Sequence, residues 1–174
     1  MSELLDNDVL EESDMGSLNH SITQVRIASL LDDDERFTVL TELSLDISQH
    51  DFSKYGIKAK DEIKPDICLY SNTMDLQDID ILKMTEMPLL AIEILSPSQS
   101  LETLKNKLYA YFKLGVKSCW LALPSIETID VYSQPKQHKT FDISDTEVID
   151  EVMDLHLPIA KVFRKRYNDV QSAD

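Results

Sequence analysis

Three glycines in 174 residues leave no material for a glycine-rich phosphate loop of the Walker or dinucleotide type. Two cysteines, Cys68 and Cys119, lie in apolar strand-like runs without CxxC or Cys/His spacing. Zinc is therefore not expected, and two buried free thiols in a reducing cytoplasm fit better than a disulfide. No segment approaches the ~20 apolar residues of a membrane span. The opening MSELLDNDVLEESDMGS has no basic region leading into an apolar one, so a secretory signal is not expected and a cytoplasmic protein is. There are no internal repeats and no low-complexity tract.

Positive charge is also scarce. Seventeen Lys/Arg against thirty-two Asp/Glu give a net charge of −15, which argues against a general nucleic-acid binder. The deficit is uneven. Residues 1–50 carry twelve acids against two bases, residues 51–100 nine against five, and residues 101–174 eleven against ten. Lys54, Lys58, Lys60, Lys64, Lys105, Lys107, Lys113 and Lys117 gather around the middle of the chain, and Arg164, Lys165 and Arg166 near its end. A local positive groove on an acidic body is compatible with this layout.

What is present suits one globular domain. The chain is 43% hydrophobic and 7% aromatic, and a domain of this length buries roughly two thirds of its unfolded surface. The layout predicts an acidic flexible leader over 1–16, one domain over 17–168, and a tail over 169–174. Ser17 is a plausible N-cap for a helix from Leu18 to about Leu31, with Ile22, Val25, Ile27, Leu30 and Leu31 as its apolar stripe. Alternation from Phe37 to Ile47 reads as a strand, and Ser48 to Ile63 stays unassigned. Ile67 to Tyr70 is a short strand entered through Pro65. Met74 to Lys83 reads as a loop with a short helical turn. Leu89 to Leu95 is a continuous apolar strand for the centre of a sheet covered on both faces. A helix from about Ser100 to Leu114 closes at Gly115. Lys117 to Leu123 is a second apolar strand. Ile126–Tyr132 and Lys139–Ile143 suggest a hairpin, Val152–Leu157 an extended segment, and Pro158 the start of a helix to about Arg166. The order α-β-β-β-α-β with peripheral strands makes an α/β fold with a mixed sheet.

One residue breaks this pattern. Glu93 sits inside the apolar run Pro88-Leu89-Leu90-Ala91-Ile92-Glu93-Ile94-Leu95, and a carboxylate in a buried strand is costly without a partner. Two readings stand. In one, Glu93 is a strand glutamate salt-bridged to Lys64 or Lys105. In the other it shares a divalent cation with Asp66, which follows Pro65 at the entry of the preceding strand. Two carboxylates suit Mg²⁺ or Mn²⁺, hard cations that keep several waters, and the Ile94 backbone carbonyl is a third candidate oxygen. Lys107 lies one helix beyond, and its four-carbon stem can reach back to the strand end. It would orient a water or hold a phosphate, giving a phosphodiesterase-like trio. His20, Ser96 and Tyr111 are candidates for supporting contacts. Their plain alternatives are a helix N-terminal surface residue for His20, a helix cap for Ser96 and core packing for Tyr111.

The arrangement Pro65-Asp66, then Glu93-Ile94-Leu95-Ser96-Pro97-Ser98, then Lys107-x-x-x-Tyr111-x-x-x-Gly115-Val116, then Trp120 and Pro124, resembles the Uma2 family of restriction-endonuclease-like proteins, common in cyanobacteria. The resemblance spans about residues 17–163. It implies the PD-(D/E)XK nuclease fold, with an αβββαβ core and Mg²⁺ dependence. Asp66 and Glu93 then match the metal-binding acids, and Lys107 the helix-borne lysine that replaces the lysine of the archetypal motif, where this chain has Leu95. His20 matches a histidine of the first helix. Two positions depart from the family pattern: Thr103 stands where an Asp often precedes the helix lysine, and Leu123 where an Asp ends the Trp120 strand. The implied function is a Mg²⁺-dependent DNA endonuclease, working as a homodimer by analogy with nucleases that cut both strands. The alternatives are a nuclease-fold binding or regulatory module without turnover, and a hydrolase of small phosphoesters.

Overall fold

A computed structural model describes residues 16–57 and 62–164. The leader up to residue 15, Lys58, Lys60, Lys165, Arg166 and the 169–174 tail lie outside the described residues. Helix α1 spans Leu18–Asp32, capped by Ser17, whose side chain accepts from the His20 backbone N–H at 3.2 Å. Its inward face is His20, Thr23, Ile27 and Leu31, at helical spacing. The expected apolar stripe is corrected here: Ile22 and Val25 face solvent. A polar pair, His20 and Thr23, takes the inward places because that end of the helix packs over a polar site.

The strands are β1 (Phe37–Thr41), β2 (Leu45–Asp46), β3 (Glu62–Ile63), β4 (Ile67–Ser71), β5 (Leu90–Ile94), β6 (Ser118–Leu123), β7 (Thr128–Gln134), β8 (Gln137–Phe141), β9 (Glu147–Asp150) and β10 (Leu155–Pro158). The expected strand Phe37–Ile47 is two strands. Glu42 adopts a left-handed backbone, φ 53°, which turns the chain out of the main sheet, and β2 pairs with β3 instead. The Met74–Lys83 segment contains no helical turn. A 3-10 turn at Pro124–Ile126 delays β7 to Thr128, and the hairpin ends at Phe141. Val152–Asp154 belongs to the turn between β9 and β10, which form their own hairpin. The last helix, α3, is Ile159–Phe163.

The main sheet runs β1-β4-β5-β6-β7-β8. Only β5 and β6 pair in parallel within it, and helix α2 (Leu101–Lys113) makes the crossover a parallel pair requires. The sequence α1-β1-β4-β5-α2-β6 is the αβββαβ order. All five β5 residues are buried, and their alternation supplies two cores. Leu90, Ile92 and Ile94 join Ile67, Leu69 and Trp120 under α1, α3 and the β9–β10 hairpin. Ala91 joins Leu104, Leu108 and Tyr111 beneath α2. Cys68 and Cys119 are buried free thiols, and burial pushes the Cys68 thiol up to about 12.

On the α1 side, the Asp150 carboxylate is fully buried. Its Oδ2 accepts from Ser118 Oγ at 2.5 Å and Trp120 Nε1 at 2.7 Å, and its Oδ1 from the Met153 N–H at 3.0 Å. These bonds tie the β9–β10 hairpin to β6.

Candidate active site

The register of β4 on β5 decides where the two carboxylates point. Ile67 pairs with Ile92 and Cys68 with Ala91, antiparallel. Continuing that register by one residue sets Asp66 opposite Glu93, and directly opposed residues project from the same face of a sheet. The contacts agree. Asp66 Oδ2 accepts the Ile94 backbone N–H at 2.7 Å, so Asp66 completes the β4–β5 ladder with its side chain. Both residues open into one cleft of about 350 Å³, which Lys107 also lines.

Glu93 is almost fully buried, with Lys107 Nζ 2.6 Å from its Oε1 and the Tyr111 hydroxyl donating to the same oxygen at 2.5 Å. Lys107 and Tyr111 sit four apart on α2, one turn, so they meet the strand from one helix face. Burial pushes the Glu93 carboxyl up to about 7; the nearby Lys107 ammonium opposes that rise, and the Asp66 charge adds to it. The Tyr111 hydroxyl is pushed well above its usual range by burial and by the Glu93 charge. Lys107 Nζ also donates to the Lys64 carbonyl at 3.3 Å, bridging α2 to the chain just before β4. The lysine reaches back from its helix, as its stem length allows, and the salt-bridge partner of Glu93 is Lys107 rather than Lys64 or Lys105.

His20 is 9% exposed, which corrects the surface reading. Its Nε2 lies 3.1 Å from Asp66 Oδ2. That bond raises the imidazole above its ordinary value, burial opposes it, and the Asp66 charge adds to the rise. Ser96 is buried and lines the cleft. It caps no helix, because Ser100 is the N-cap of α2 and accepts from the Thr103 N–H. Of the described lysines clustered in sequence, Lys64 and Lys107 line the cleft and Lys54, Lys105, Lys113 and Lys117 do not.

Two residues escaped the sequence reading. Gln24 Nε2 donates to the Asp66 carbonyl at 2.9 Å, and the Glu42 N–H donates to the same oxygen at 3.2 Å. Both side chains line the cleft. Gln24 follows His20 by one helical turn, a spacing that would have exposed it once His20 was placed. Glu42 owes its position to a left-handed backbone that glutamate does not advertise.

The donor set fits a hard cation. Oδ2 of Asp66 and Oε1 of Glu93 carry all the hydrogen bonds and ion pairs described for those carboxylates. That leaves Asp66 Oδ1 and Glu93 Oε2 without a protein donor among the described residues. No group of three His, Cys, Asp or Glu with metal-holding geometry exists among those residues. Two carboxylates suit Mg²⁺ or Mn²⁺, which retain waters, and not an all-protein zinc cage.

A profile of the Uma2 family, described as "Putative restriction endonuclease", matches residues 1–160. The chain belongs to the Uma2 family. A crystal structure described as "a putative nuclease belonging to DUF820 from Anabaena variabilis" superposes with a TM-score of 0.65. It is 23% identical, over 86% of this Uma2 chain and 82% of that one. That likeness shows a shared restriction-endonuclease-like fold. No curated protein matches the chain.

Proposed function

We propose that this Uma2 protein is a divalent-cation-dependent endonuclease that hydrolyses phosphodiester bonds in DNA. One observation carries the reading: Asp66, just before β4, and Glu93 of β5 line one cleft together with Lys107, whose ammonium pairs with Glu93. The family description and the shared fold favour DNA as substrate. Asp66, Glu93 and the Ile94 carbonyl would hold Mg²⁺ or Mn²⁺. Such an ion, when bound, lowers the pKa of a water and offsets charge developing on a phosphate.

The chain's own groups do the rest. The Ile94 N–H and His20 fix Asp66 in one orientation through Oδ2, leaving Oδ1 without a protein donor among the described residues and able to serve as a ligand. Tyr111 fixes Glu93 in the same way. Lys107 Nζ is paired with Glu93; with a cation held by that carboxylate, it would be free to orient the attacking water or hold a non-bridging phosphate oxygen. Lys64, which also lines the cleft, would supply a second ammonium. A homodimer, with one copy per strand, goes with this reading. No helix among the described residues is long and apolar enough to cross a membrane.

The test is relaxation and linearisation of supercoiled plasmid with Mg²⁺ or Mn²⁺ and without metal. Wild type should cut only with metal. Lys107→Ala should slow cutting by about 10²-fold or more, the scale of losing one transition-state donor, and Glu93→Ala should abolish it while circular dichroism stays native. Cutting by Glu93→Ala, or no cutting and no metal-induced rise in the wild-type melting temperature, would overturn the proposal. Hydrolysis of small phosphoesters with no DNA cutting would move the substrate class.

A further inference from the structure

The connection from β4 to β5, residues 72–89, has a fixed base and an apolar crest. At one end the Asn72 N–H donates to the Arg36 carbonyl at 3.0 Å, and Asn72 Nδ2 to the Glu35 carbonyl at 2.6 Å. At the other, the Asp46 N–H donates to the Met84 carbonyl and the Met84 N–H to the Ser44 carbonyl, both at 2.8 Å. Between these anchors Leu76, Ile79 and Leu82 are 97%, 85% and 84% exposed. With Ile81 they make four of the ten large apolar side chains exposed among the described residues, gathered within seven positions. Scattered surface apolar residues are ordinary, but a contiguous group marks a contact surface.

Beneath this crest lies a groove of about 580 Å³ that shares no residue with the catalytic cleft. Leu40 of edge strand β1, Leu43, Met74, Ile81 and Met84 give it apolar walls. Asp75, Asp80 and Glu86 give it charge, and among the described residues no lysine or arginine lines it. Lys83, the one cation of the loop, acts on Asp46 and lies outside the lining.

The charge selects the occupant. A second copy docking here about a two-fold axis would set the same carboxylates against their own counterparts, on chains of net charge −15. Nucleic acid and anionic lipid surfaces are repelled for the same reason. What complements apolar walls with an acidic rim is an apolar segment flanked by cations. We propose that this groove docks a basic amphipathic segment of another protein. Its aliphatic anchors lie against Leu40, Ile81 and Met84, and its lysine or arginine heads against Asp75, Asp80 and Glu86.

The probe is a labelled synthetic peptide of leucine and lysine at helical spacing, with a leucine–glutamate version as counterpart, titrated into the full-length protein by fluorescence anisotropy. Two groove variants, Leu76→Ser with Ile81→Ser and Asp75→Asn with Asp80→Asn, should each weaken the lysine peptide about tenfold or more. Asp32→Asn with Asp33→Asn, at the exposed end of α1, should leave it unchanged, and the glutamate peptide should not bind. The aspartate pair removes charge without removing packing, so its melting temperature should stay native. Equal loss in the Asp32/Asp33 control would show mere attraction to an acidic body and overturn the proposal. Binding of the glutamate peptide would overturn it too. So would a wild-type dimer in sedimentation that Leu76→Ser with Ile81→Ser makes monomeric, because a second copy would then be the occupant.

Discussion

Replacing Glu93 by glutamine keeps the side chain's shape and removes its charge, and that separates a cation site from a structural ion pair. In the metal-free fold the Glu93 carboxyl titrates at about 7, against 4.5 for a free glutamate. A carboxyl whose folded value is raised makes the native state bind the extra proton, so stability is fullest below pH 4.5 and declines until pH passes about 7. The shift corresponds to about 3 kcal/mol of stability lost by pH 8. The help from Lys107 and Tyr111 is already contained in that shift, since both favour the ionised form. Lys107 is not stranded by the substitution: its side chain is 21% exposed and keeps the Lys64 carbonyl. Metal-free Glu93→Gln should therefore melt higher than wild type at pH 8. A chain of this size gains about 2–4 °C per kcal/mol, so the rise is several degrees. Near pH 5 the difference should shrink to less than about 1 kcal/mol. Adding Mn²⁺ should reverse the order at pH 8, because only wild type gains ligand-linked stability. Differential scanning calorimetry with and without chelator reads all of this. A metal-free Glu93→Gln protein less stable than wild type at pH 8 would make Glu93 a structural partner of Lys107, and the reasoning would fail.

The remaining predictions concern the site's supports and the scaffold. Tyr111→Phe removes a donor that favours the Glu93 carboxylate, so the pH midpoint of Mn²⁺ binding should move up, by up to about one unit; calorimetric titration across pH checks it, and an unmoved midpoint counts against the contact. Asp150→Ala strands the buried donors of Ser118, Trp120 and Met153 and should cost about 3–5 kcal/mol in urea unfolding while Mn²⁺ binding persists; a cost under about 1 kcal/mol would refute the tie between hairpin and sheet. Gly115 has φ 96° as the α2 helix ends, so Gly115→Ala should lower stability by about 1 kcal/mol or more in the same assay, through backbone strain alone. Lys107→Met should leave the Mn²⁺ affinity within about tenfold of wild type while cutting falls far further.

The parts of the fold carried by local pattern were legible from residues alone. The apolar run around Ile92 announced a central strand, and Ser100 with Gly115 bracketed α2 closely. Glu93 stood out because a charge inside that run needs a reason. The β1–β2 break was hidden because it rests on a left-handed glutamate, where glycine or asparagine would have signalled a turn. Asp150 was hidden because an aspartate beside Glu151 reads as a solvated turn, and its partners Ser118 and Trp120 lie some thirty residues away. The two readings of His20 could not be separated for the same kind of reason: its burial goes with Asp66, which only tertiary folding brings to it.

The most direct test is a crystal soaked in Mn²⁺, with anomalous scattering to locate the ion. One peak bonded to both Asp66 and Glu93, with Lys107 Nζ displaced from the glutamate, is the predicted result. Full soaking with no peak between those carboxylates, and Lys107 still paired to Glu93, would contradict the account.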